Sequence, residues 1–131
     1  MIGDFHHFGV ACRSIENEAR SWTVLGYQAE APEFVDPIQQ VCGRFYVGGG
    51  PRIELLEPCA GAKVLDPWLD RGVKIYHTAY EVDDLPSTLA GLQKARARLV
   101  VAPVAAFAFG GRLICFVVLP NLALVELIAR N

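Results

Sequence analysis

IYHTAYEVDDL (Ile75–Leu85) decides how this chain is read. It is apolar enough for a buried strand, yet it carries a histidine and a glutamate four residues apart, and it has a counterpart near the N-terminus. HFGVACRSI (His7–Ile15) and HTAYEVDDL (His77–Leu85) each open on a histidine, continue as an apolar run and a polar pair, and reach an aliphatic residue eight positions on. Helical character follows in both places, over IENEARSWTVL from Ile15 and over DLPSTLAGLQK from Asp84. In the second, Leu85, Leu89 and Leu92 recur at i, i+4 and i+7 and lay one apolar stripe along a helix, with Pro86 suited to its first turn. Gly26 after Leu25 reads as the stop of the first helix.

Each copy then runs into short segments rich in β-branched and aromatic residues, punctuated by Gly, Pro and Asn. QVCGRFYV (Gln40–Val47), GGGP and RIELLEP (Arg52–Pro58) close the first; RLICFVVL (Arg112–Leu119), Pro120-Asn121 and LALVELI (Leu122–Ile128) close the second. These are hairpin signatures. The chain therefore reads as an α+β domain, residues 1–131, made of two tandem β-α-β-β-β modules of about 60 residues each. The modules cover about 1–60 and 73–131, joined by a connector over 61–72.

The ends of the repeat carry the chemistry. His7 is followed by Glu54 after 47 positions and His77 by Glu126 after 49, and both glutamates sit inside apolar runs, IEL and VEL. An isolated carboxylate there would lose several kcal/mol of hydration. Taken singly, His7 reads equally as a hydrogen-bonded core histidine, and Glu54 or Glu126 as a charge on an edge strand. Taken together, two imidazoles and two carboxylates at matched positions point to one divalent cation, which removes the burial penalty. His6, next to His7, faces the other side of its strand and is not a ligand. Glu81 shares the strand face of His77. Two roles stay open for it, a group behind the ligands or a proton acceptor on one reading, a partner for an arginine or for backbone donors on the other.

Composition sets the remaining bounds. Hydrophobic residues make up 53 % and charged residues 20 %, so one well-packed core is expected, with surplus apolar surface available to a homodimer interface. A net charge of -2 offers no cationic surface for a phosphate backbone, so nucleic acid is not an expected partner. The opening MIGDFHH has no cationic region followed by an apolar one, and no run is long enough to span a membrane. A cytoplasmic protein is expected, its four scattered cysteines reduced.

HFGVA from His7, RIELLEP from Arg52, IYHTAYEVDD from Ile75, GGRLICF from Gly110 and ALVEL from Ala123 together resemble the vicinal oxygen chelate superfamily, which includes glyoxalases, bleomycin-resistance proteins and dioxygenases. They are most similar to its methylmalonyl-CoA epimerase and glyoxalase I branch. The resemblance implies a cup-shaped mixed sheet around one divalent metal (Zn, Ni, Co, Mn, Fe or Mg) held by His7, Glu54, His77 and Glu126. It implies a lyase or isomerase in which substrate oxygens meet the metal, an enolate develops, and Glu126 or Glu54 moves a proton of a small oxo-acid or acyl thioester. The alternative is a binding protein of the same fold that sequesters a small molecule. Gln39, Arg44 and Arg112 are the candidate substrate-binding residues, with FVDPIQQ (Phe34–Gln40) and PVAAFAFGG (Pro103–Gly111) as cavity rim. Gly43 and Arg44 stand near the place where some epimerases carry a glutamate.

Overall fold

In the computed structural model, residues 2–131 are described, and they divide into two compact units, His7–Tyr76 and residues 2–6 with His77–Asn131. The fold class is the expected one: α+β, with mixed sheets and few helices, two βαβββ modules in tandem. Among the described residues no helix is long and apolar enough to cross a membrane.

The His7–Tyr76 unit holds most of β1 (Phe5–Ala11), α1 (Ile15–Val24), β2 (Gln28–Ala29), β3 (Phe34–Asp36), β4 (Val41–Val47), β5 (Ile53–Pro58) and α2 (Asp66–Leu69). Its strands run in the order β2-β4-β5-β1, with β3 also on β4. β1 lies parallel to β5, as a crossover through a helix requires, and β4 antiparallel to β5, as a hairpin requires. Where one strand was expected after α1, two short pieces pair with β4 instead. Pro32, which has no N–H to donate, lies between them. α1 begins where Ser14 accepts a hydrogen bond from the Asn17 N–H at 3.2 Å, and Gly26, at φ 97°, follows its end. One face of this sheet packs under α1: Val10, Ile53, Leu55, Tyr46 and Cys12 join Ile15 in one core.

The other unit holds β6 (Ile75–Val82, from His77), α3 (Leu85–Lys94), β7 (Arg98–Ala105), β8 (Leu113–Val118) and β9 (Leu124–Ala129), in the order β6-β9-β8-β7. β6 and β9 are parallel, and β9-β8-β7 run antiparallel. Asp84 caps α3 through the Ser87 N–H at 3.0 Å. The helix lays Leu85, Leu89 and Leu92 on a core of Val82, Cys115, Val117, Val125 and Leu127. The N-terminal residues are tied into this unit: the Gly3 N–H donates to the Glu81 carbonyl and the Glu81 N–H to that of Asp4, both at 2.9 Å. Arg130 spans Asp4 and Asp83 at 2.7 and 2.8 Å.

All four cysteines are free thiols, Cys12 and Cys115 buried and Cys42 and Cys59 half-buried. Burial, then the carboxylates of Glu18 and Glu57, push the Cys12 thiol up to about 12. A buried thiol keeps its proton while the unfolded chain loses its own near pH 9, so the folded state gives up stability as pH rises above that value. Thermal melts should fall between pH 8.5 and 10.5, with Cys12 accounting for about 2 kcal/mol of the loss at the upper end. Cys12→Ala should flatten that slope. A slope that the variant leaves unchanged would assign the loss to other groups.

Candidate metal centre

Strand alternation sorts the side chains of each module onto two faces. In the first, Leu55 faces α1 and its neighbour Glu54 faces the other way, beside His7 and opposite Phe45 in the β4–β5 register. In the second, Val125 and Leu127 face α3, so Glu126 between them faces away, opposite Phe116 on β8 and beside Ala79 on β6.

Each module therefore contains one imidazole–carboxylate pair. His7 Nε2 lies 3.1 Å from Glu54 Oε1, and His77 Nε2 lies 3.3 Å from Glu126 Oε1. All four residues are buried, at 0 %, 4 %, 3 % and 4 % exposure for His7, Glu54, His77 and Glu126. Carboxylates so deep need compensation, and a histidine within 3.3 Å supplies part of it. Metal–ligand bonds of 2.0–2.2 Å imply ligand-to-ligand separations of about 3.0–3.5 Å. Both pairs fall in that range, so each fits half of a coordination shell without rearrangement.

The pairs share a feature absent from the sequence-based expectation. Phe45 meets the His7 ring edge-on at 5.3 Å, and Phe116 meets the His77 ring in the same way at 5.2 Å. Each aromatic is the cross-strand neighbour of that module's glutamate, so the repeat extends to the wall that orients the imidazole and keeps water from it. QVCGRFYV and RLICFVVL each hold their phenylalanine nine or ten residues ahead of the glutamate, a signal that the repeat spacing already contained.

The remaining candidates have partners of their own. Gln39 is taken up in a turn: its side-chain amide donates to Asp36 Oδ2 at 2.8 Å, and the backbone N–H groups of Ile38 and Gln39 both donate to Asp36 Oδ1 at 3.0 Å. Asp36, only 1 % exposed, was not singled out from the sequence, although Asp-Pro at a strand end is a turn signal. Arg44 is on the helix-facing side of β4, opposite Leu55, and donates to the Ala31 carbonyl at 2.8 Å. It thus stands on the sheet face away from Glu54. Arg112 pairs with Glu81 Oε2 at 3.2 Å and lies 5.6 Å from the Phe109 ring centroid. Glu81 therefore has an arginine partner, the second of its two sequence-based roles. His6 packs edge-on to Phe109 at 5.3 Å. Phe34 lies over Gly43, where an added Cβ would collide with the Phe34 ring and Leu56. No side chain fits at that position while Phe34 stays in place.

The sequence profile of the glyoxalase/bleomycin resistance protein/dioxygenase superfamily matches residues 6–116. The chain belongs to this superfamily. Its relatives of known structure share the fold at low identity. A hypothetical protein of Bacillus halodurans superposes with a TM-score of 0.81 at 22 % identity, over 98 % of this chain and 94 % of that one. A variant methylmalonyl-CoA epimerase of Streptomyces coelicolor, in complex with 2-nitronate-propionyl-CoA, gives 0.80 at 20 % identity over 98 % of both chains. The methylmalonyl-CoA epimerase of Mycobacterium tuberculosis gives 0.80 at 21 % identity, over 99 % and 89 %. No curated protein has a significant sequence match to the chain. Within the superfamily, the repeated His–Glu pair is the feature of this chain with the chemistry to bind a divalent metal.

Proposed function

We propose that the chain is a metal-dependent lyase or isomerase of the glyoxalase/epimerase type, in which His7, Glu54, His77 and Glu126 together hold one divalent cation. The observation that carries this reading is the pairing itself: an imidazole nitrogen and a carboxylate oxygen at 3.1 Å in one module and 3.3 Å in the other, all buried. Two neutral imidazoles and two carboxylates match the charge of a divalent ion, and their nitrogen and oxygen donors suit zinc, nickel, cobalt, manganese or iron. When bound, the ion would supply Lewis-acid stabilisation of negative charge developing on a substrate oxygen.

The chain's own groups would do the rest. Glu126 or Glu54 accepts the proton next to a substrate carbonyl and returns it, the apolar surroundings keeping competing water away. Phe45 and Phe116 hold the imidazoles in orientation. Arg112, already charge-paired with Glu81, is the cation available to an anionic group of the substrate. A small 2-oxo acid or an acyl thioester has both features this chemistry uses, an acidic C–H and an adjacent oxygen. The methylmalonyl-CoA epimerases among the structural relatives make an acyl thioester the first substrate class to try. Assembly as a cytoplasmic homodimer is part of the same reading; the apolar edge strand β7, exposed at Leu99, Val100 and Val101, is surface that a second copy would cover.

The test is elemental analysis of protein purified without chelator, followed by NMR of candidate substrates in deuterated water. One divalent ion per chain and exchange of the proton next to the carbonyl are expected. Protein free of stoichiometric metal would remove the reading. Metal without exchange on any 2-oxo acid or thioester would leave the ion and reject the catalysis.

A further inference from the structure

We infer that Cys42 and Cys59 form a redox-modifiable dithiol that closes reversibly to a disulfide, a site separate from the His–Glu pairs and independent of the proposed catalysis. β4 and β5 run antiparallel with Cys42 opposite Glu57 and Val41 opposite Pro58. The pairing continues one step past β5, where the Cys59 N–H donates to the Gln40 carbonyl at 3.0 Å. Cys59 thus stands opposite Gln40, two positions from Cys42, which puts both thiols on one sheet face as diagonal neighbours. The Cys59 thiol bears on Cys42 directly, helping to hold its proton.

Access separates this pair from the other two cysteines. Cys42 and Cys59 are half-buried, whereas Cys12 and Cys115 are buried, each in the core of its own module. A small oxidant such as hydrogen peroxide reaches the pair first. One sulfur, as thiolate, attacks a peroxide oxygen; the O–O bond breaks, a sulfenic acid forms, and the departing hydroxide takes a proton to become water. The second sulfur then attacks the sulfenic sulfur, the S–S bond forms, the S–O bond breaks, and the second thiol proton leaves in a second water. Two thiols are oxidised and one peroxide is reduced to two waters.

Cys59 is the first residue after β5 and opens the connector, whose Leu65, Trp68 and Leu69 pack on Val41 and Leu56. A bond from Cys59 to β4 would fasten the start of that connector to the sheet it covers. Burial, the Cys59 thiol and the carboxylates of Glu57 and Glu33 push the Cys42 thiol up to about 11. The Cys42 thiolate is therefore scarce near neutral pH, and attack by Cys42 should quicken about tenfold per pH unit between roughly pH 7 and 9.

The experiment treats the folded, reduced protein with hydrogen peroxide, counts thiols and maps tryptic peptides without reductant. The expected result is loss of two of the four thiols within one chain, residues 21–44 joined to residues 53–63, and full reversal by dithiothreitol. Cys42→Ser and Cys59→Ser should each abolish the joined peptide under the same treatment. Sulfinic acid on either cysteine with the peptides still separate, bonds only between chains, or a first bond that uses Cys12 or Cys115 would overturn the proposal. So would intramolecular loss of two thiols in the Cys42→Ser variant.

Discussion

Glu126→Gln is expected to weaken divalent-metal binding at least ~10-fold, the order seen when a metal's immediate surroundings are disturbed, and to abolish turnover. The substitution keeps the shape of a side chain that is 4 % exposed and lies 3.3 Å from His77 Nε2. It removes the negative charge that the proposed cation would neutralise. Without metal the variant should melt close to the parent, because a buried carboxylate has been replaced by a neutral amide of the same size. With saturating metal the parent should gain stability that the variant largely forgoes, about 1.4 kcal/mol less for each tenfold loss of affinity. Isothermal titration with zinc or nickel, and melts with and without the ion, read both quantities. Equal affinity in parent and variant would mean that Glu126 is not a ligand.

The neighbouring substitution should behave in the opposite way. Leu127 is fully buried on the other face of β9, among Val82, Leu85, Cys115, Val117 and Val125 under α3. Leu127→Ala leaves a cavity in that core and should cost roughly 2–5 kcal/mol in denaturant unfolding. At low temperature, where the variant remains folded, metal bound per folded chain should stay at the parental level. One residue along a strand thus exchanges a loss of ligand binding for a loss of stability, because successive side chains leave opposite faces of the sheet. Loss of metal binding in Leu127→Ala at a temperature where circular dichroism reports intact structure would contradict this separation of faces.

Much of this was legible in the chain because it is written twice. Period and spacing over His7–Ile15 and His77–Leu85 marked the strand–helix openings of both modules, and α1 and α3 begin at Ile15 and Leu85 behind the caps Ser14 and Asp84. Local interactions decide such features: a capping side chain bonds an amide three residues on, and an apolar stripe needs only its own helix to exist. The repeat also marked which imidazole and which carboxylate belong together, since spacings of 47 and 49 positions in two copies can be matched without knowledge of any contact.

Other features depended on which strand lies beside which. Phe45 and Phe116 brace the imidazoles because β4 and β8 pair with β5 and β9 in a register that sets each ring opposite a glutamate. Arg44, a candidate for the site from its sequence neighbourhood, went to the helix side because one step along β4 reverses the face. Gln39 was drawn into the turn around the buried Asp36, and Glu81 was matched with Arg112 from another strand. Cys42 and Cys59, unremarkable in a list of four scattered cysteines, became neighbours when β5 folded back along β4. Patterning along the chain determined the elements and the repeated His–Glu pairs. Partners across strands, and the face each side chain occupies, came only from tertiary structure, because register is a property of two segments and no single segment carries it.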